Sequence, residues 1–192
     1  MNFFCLAIFL ISSSAKAETI KYFLEHTGQE GKTAKIISNR LNHAKSFFDA
    51  KVEVINDKGS IYLLVDANIA ESDYFEYLVS NRGKLEAFTI KKSKRDVWFT
   101  EANITNTGFS ETNVDLSVTG ETVPVTNELF TKNKGQLITI LLDGELLLKA
   151  KLSRPLGKHF RINPVTIAKP EYVAILLKYG SFAERVHLTK AQ

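Results

Sequence analysis

The order of elements between Thr19 and Ile90 constrains the fold more than any other feature of the chain. Thr19 to Leu24 sets Ile20, Tyr22 and Leu24 against polar neighbours, the alternation of a half-buried strand. After Gly28 and Gly31, Ala34, Ile37, Leu41, Ala44 and Phe48 recur at spacings of three and four, which places them on one face of a helix. Its outward face is Lys35, Asn39, Asn42 and Lys45. Val52 and Val54 then form a strand, Asn56-Asp57-Lys58-Gly59 carries turn chemistry, and Ser60 to Val65 returns to complete a hairpin. Asp73 and Glu76, at capping-box spacing ahead of Leu78 and Val79, predict a short helix over 72–81 that stops near Gly83. Leu85 to Ile90 is the next strand. Strand, helix, strand, strand, helix, strand is the order of a ferredoxin-like βαββαβ sandwich, two helices on one face of a four-stranded antiparallel sheet. The predicted class is α+β.

The character changes at Lys91-Lys92-Ser93-Lys94-Arg95. Residues 96–120 are rich in Thr, Asn and Ser, with Trp98-Phe99 and the alternating Val114, Leu116 and Val118 as strand candidates. A helix is predicted from Val123 to Lys132, stopping at Gly135. Leu137 to Leu142 and Glu145 to Leu152 are strand-like runs joined by Asp143-Gly144, the two-residue loop of a type I′ hairpin. Residues 96–163 thus read as a second α+β unit. Pro170 at a first helical position, the apolar Tyr172 to Leu177 and Gly180 mark a last helix, and Ala183 to Leu188 reads as a closing strand.

Residues 1–17 stand apart from this pattern. Phe3 to Ile11 is an unbroken apolar run, followed by Ser12 to Ser14 and Ala15-Lys16-Ala17, so the stretch reads as a signal peptide with Glu18 as the mature start. The run is well short of the roughly 20 apolar residues that span a bilayer, and no later run approaches that length. Cleavage removes one Lys and no acid, so the formal charge falls from +4 to +3, too small to imply nucleic acid. It also removes the only Cys, which excludes disulfides, thiolate metal sites and a cysteine nucleophile. A cysteine-free exported chain suits a bacterial envelope, so the expected location is periplasmic or secreted. At 192 residues, 44% of them hydrophobic, the chain can bury a core without such staples.

Several stretches together resemble a known family. They are Ile36-Ile37-Ser38-Asn39-Arg40-Leu41-Asn42, Lys84-Leu85-Glu86-Ala87-Phe88 and Val114-Asp115-Leu116-Ser117-Val118-Thr119. Thr131-Lys132-Asn133-Lys134-Gly135, the hairpin Ile138 to Leu146 and Pro170 to Phe182 follow in the same order. The chain resembles the first periplasmic domain of SecD, a subunit of the bacterial protein-export machinery. That resemblance implies a ferredoxin-like base over 18–90 and 168–192 and a head over 96–164 that engages emerging polypeptide. It implies a protein or unfolded-polypeptide partner, with the Sec channel among the candidates; where SecD continues into membrane helices, a free-standing domain is expected here instead. After Asp143-Gly144, where the family has Ser-Ala-Pro, this chain has Leu148-Lys149-Ala150-Lys151.

No motif for catalysis stands out. His26, His43, His159 and His187 lack metal-ligand spacing, and Gly108-Phe109-Ser110-Glu111 and Gly180-Ser181-Phe182 each lack the second Gly of a nucleophile elbow. No cofactor, metal or catalytic residue is expected. The candidate binding residues are Lys91, Lys92, Lys94 and Arg95, read first as a solvated linker and second as a contact for an anionic membrane surface or acidic partner. Trp98 and Phe109 join them, as core anchors first and as exposed anchors for extended polypeptide second. The hairpin over 137–152 offers a sheet edge for backbone pairing, with Lys149 and Lys151 as guards. The expected function is a non-enzymatic exported protein that binds polypeptide or an envelope partner. A structural part of an envelope assembly and a small hydrolase or ligand-binding enzyme are the alternatives.

Overall fold

A computed structural model describes residues 19–25, 29–43, 52–57, 60–66, 70, 72–164, 169–182 and 186–191. The predicted signal peptide, and Ala44, Lys45 and Phe48 of the first predicted helix, lie outside the described residues. The first elements are β1 (Thr19–Glu25), α1 (Glu30–His43), β2 (Val52–Asp57), β3 (Ser60–Asp66) and α2 (Asp73–Ser80). Then come β4 (Leu85–Lys91), β5 (Lys94–Thr100), a single 3-10 turn (Glu101–Asn103), β6 (Ile104–Phe109), β7 (Val114–Val118) and α3 (Thr122–Lys132). The chain continues through β8 (Leu137–Leu142), β9 (Glu145–Lys151), β10 (His159–Ile162), α4 (Pro170–Tyr179) and β11 (His187–Lys190). The α+β class holds.

Among the described residues the strands form three antiparallel sheets, ordered β11-β1-β3-β2, β5-β4-β8-β9 and β10-β7-β6. In the first, β3 lies between β1 and β2, so α1 crosses a split pair as predicted. Leu24, Leu63 and Val65 of the sheet and Ala34, Ile37 and Leu41 of α1 are all buried, which is the burial the helical spacing required. The strand expected to complete this sheet, Leu85 to Ile90, does not. As β4 it pairs with β5 and β8, and β11 takes the place beside β1, with Leu24 opposite Leu188. The reason lies in the turn after α2: Gly83 adopts φ +79°, redirecting the chain, and β4 finds Ile138, Ile140 and Leu142 opposite Thr89, Ala87 and Leu85.

Smaller differences have local causes. The cap of α2 is Ser72, whose Oγ accepts from the Phe75 amide at 3.2 Å, one residue ahead of the predicted Asp73. The closing strand is described from His187 to Lys190, two residues past its predicted end, and residues 183–185 of the predicted strand lie outside the described residues. Two strands went unpredicted, β6 and β10, which flank β7. Val114, Leu116 and Val118 of β7 are buried, and Phe160 of β10 meets Phe99 of β5 with ring centroids 5.3 Å apart. α4 joins the layers. Val173 through Leu177 are five consecutive buried residues, too many for a helix covered on one side only. Tyr172 meets Tyr74 and Tyr77 of α2, and the Thr107 hydroxyl of β6 donates to the Ala174 carbonyl at 2.8 Å.

Candidate functional site

The sheet β5-β4-β8-β9 carries five of the six predicted binding residues, but not as one surface. The run Lys91 to Arg95 is not a linker: it is the turn of the β4–β5 hairpin, with Lys91 paired to Lys94. Lys92 and Ser93 both adopt positive φ, 49° and 64°, as a two-residue hairpin loop of the right twist demands. That turn lifts Lys91, Lys92, Lys94 and Arg95 into solvent. Two of them are partly engaged. The Lys91 ammonium donates to the Lys132 carbonyl at 3.0 Å, and the Arg95 guanidinium lies 3.5 Å over the Phe88 ring and 2.9 Å from the Glu86 carboxylate. Beneath the turn, Asp96 accepts from Asn133 and from Lys132, each at 3.1 Å. Those hydrogen bonds, the Asn133 one foremost, hold the Asp96 carboxyl below the usual carboxylate range.

Trp98 is 4% exposed, and its indole N–H donates to the Thr89 hydroxyl at 3.2 Å. It is a core residue and presents no face to a partner. Phe109, by contrast, is 39% exposed at the end of β6, on a different sheet. It borders a small cleft between β6 and α4 that His43 and Lys178 also line. The Tyr179 hydroxyl and His43 Nδ1 are 3.0 Å apart, and burial, then Lys178, pulls the His43 imidazole below its ordinary value.

The hairpin β8–β9 forms as predicted, Asp143 and Gly144 taking φ of 54° and 92°. β9 ends the sheet order, so its outer backbone meets no strand among the described residues. Lys149 and Lys151 are exposed on it, and a bulge at Ile140/Leu141 locally breaks the register. The Asp143 carboxylate does more than serve a turn: it accepts from the amides of Gly83 at 3.1 Å and Lys84 at 2.8 Å, pinning the hairpin to the segment between α2 and β4.

Beside that segment sits a residue whose role sequence reasoning missed. Arg40 of α1 is 0% exposed. Its guanidinium donates to the carbonyls of Leu78 (2.9 Å), Asn81 (2.7 Å), Arg82 (2.9 Å) and Gly180 (2.6 Å), and lies 4.3 Å over the Phe182 ring. It thereby closes the C-terminal ends of α2 and α4, where carbonyls lack helical partners. Burial pulls the guanidinium down to about 9 while Asp143 opposes that shift, so Arg40 remains a cation at neutral pH. A Cβ on Gly83 would stand 2.8 Å from Arg40 Nη2. The only available signal was its place in a helix whose apolar positions flank it.

Among the described residues no cluster of three or more His, Cys, Asp or Glu side chains could hold a metal ion, and no helix is long and apolar enough to cross a membrane. No sequence-family model matches the chain, and no curated protein sequence matches it. Solved structures do. A chain from the structure of SecDF, a membrane component that enhances protein export, superposes with a TM-score of 0.64 at 14% identity, over 91% of this chain and 99% of that one. SecDF in its super-membrane-facing form superposes with a TM-score of 0.66 at 13% identity over 90% of this chain, which spans 29% of that one. Over nine tenths of its length, then, the chain is SecD-like in fold.

Proposed function

We propose that the chain is a non-enzymatic envelope protein that receives extended polypeptide, or a protein partner of the export machinery such as the Sec channel, at the β9 edge. The observation that carries this reading is that edge, an outer strand with no neighbour among the described residues in a chain of SecDF fold. Pairing at a sheet edge uses backbone groups that every polypeptide has, which suits clients of differing sequence. Lys149 and Lys151 oppose self-pairing and favour an incoming strand with acidic residues opposite them. In this reading the sheets containing β4 to β10 act as the head, the remainder acts as the base, and the protein works on the periplasmic side.

The test is a photoreactive residue in place of Lys149, with a second at Phe109, irradiated in intact envelopes. Adducts from Lys149 with the Sec channel or with many exported chains are the expected result. A single unrelated partner in fixed ratio would make the protein an assembly component instead. Adducts from Phe109 alone would move the site to the β6–α4 cleft.

A further inference from the structure

One end of the sheet β5-β4-β8-β9 gathers cations from three separate stretches of chain. Lys91, Lys92, Lys94 and Arg95 come from the β4–β5 hairpin, Lys134 from the loop after α3, and Lys151 from the end of β9. Among the described residues no carboxylate pairs with Lys91, Lys92, Lys94 or Lys134. The strand register adds a second feature. Ile90 stands opposite Arg95, Leu137 stands opposite Lys151, and Ile90 and Leu137 lie one step beyond the Thr89–Ile138 pair. Cross-strand partners share a face, so this end of the sheet shows a row of Arg95, Ile90, Leu137 and Lys151, cation, apolar, apolar, cation. Ile90 is 58% exposed and Leu137 46%, the former among the most exposed apolar side chains described.

We infer that this end of the sheet docks on an anionic lipid surface, with the lysines among the headgroups and Ile90 and Leu137 at the boundary with the acyl chains. Charge complementarity selects that occupant: the cations are spread around a protruding turn, which suits a diffuse negative potential, and the apolar pair at the centre of the row finds the layer just beneath it. An acidic protein would satisfy the lysines but not specifically the exposed apolar pair between them. The inference does not rest on polypeptide capture at β9, with which it shares only Lys151.

The experiment is co-sedimentation of the full chain with vesicles of phosphatidylcholine alone or mixed with phosphatidylglycerol. The tip variant carries Lys91→Gln, Lys92→Gln, Lys94→Gln and Lys134→Gln. A control carries the same charge loss at exposed positions elsewhere: Lys32→Gln, Lys35→Gln, Lys158→Gln and Lys190→Gln. Any adhesion by the apolar segment Phe3 to Ile11 is common to all three proteins and cancels. The tip variant is expected to lose at least about tenfold in partitioning to the anionic vesicles, the control far less. Ile90→Ser with Leu137→Ser is expected to leave the salt-sensitive binding but lower its residue at high salt. Equal losses in tip variant and control, or no loss in either, overturn the inference. So does a tip variant that keeps vesicle binding but loses an acidic protein partner. Unchanged crosslinking from Lys149 in the tip variant separates this result from the fate of the β9 reading.

Discussion

Arg40 is the residue on which the packing of three helices turns. A buried guanidinium is costly to desolvate, and it is tolerated here because four carbonyls that α2, α4 and their following loop would leave open are closed by it. Arg40→Met keeps most of the volume but strands those acceptors, and the expected cost is about 4 kcal/mol. Arg40→Lys keeps the charge yet offers three donors from one point, where the fork of a guanidinium spans two helix ends, so a cost of about 2 kcal/mol is expected. Urea unfolding monitored by circular dichroism reads both, and a loss below about 1 kcal/mol for the Met variant would show that water closes the carbonyls instead. None of this was legible in the sequence. An arginine flanked by Ile37 and Leu41 is read as a surface cation until the fold brings residues 78–82 and 180 to meet it.

At the scale of elements, what could be read was whatever is local. The spacing of Ala34, Ile37 and Leu41, the Asp143-Gly144 loop and Pro170 with Gly180 each belong to one stretch of chain, and each element formed where expected. β6 and β10 escaped because half of their residues are Thr, Asn, His and Arg: they are strands only because β7 lies between them and buries Val114, Leu116 and Val118. The sheet that β4 joins was illegible for a related reason, since its partner β8 lies far along the chain and periodicity says nothing about pairing. The β9 edge makes a prediction at this scale. Its outer-face lysines are the charged guards of an otherwise apolar hairpin, so Lys149→Ile with Lys151→Ile should strengthen self-association roughly tenfold, about 1.4 kcal/mol. Sedimentation equilibrium measures the change, and an unaltered mass would assign the protection to the bulge at Ile140/Leu141.

For the whole molecule the question is whether the three sheets behave as one unit or two. Several bonds cross between the sheet pair β4–β10 and the helices of the first sheet. Asp143 holds the amides of Gly83 and Lys84, and Thr107 bonds the Ala174 carbonyl. Glu101, just after β5, accepts from the Ser181 hydroxyl beyond α4 at 3.3 Å. The buried apolar residues of all three sheets also belong to one contiguous core. A break between subdomains would therefore expose apolar surface and open hydrogen bonds at once, which favours a single cooperative transition. The molecule supplies its own reporters. Trp98, the only tryptophan, sits in β5, whereas Tyr74, Tyr77 and Tyr172 cluster where α2 meets α4. Tryptophan fluorescence and near-ultraviolet tyrosine dichroism are expected to give coincident urea midpoints. If the Trp98 signal moved at a lower concentration than the tyrosines, the sheet carrying β9 would open on its own, and the junction at Asp143 and Glu101 would be a hinge rather than a weld.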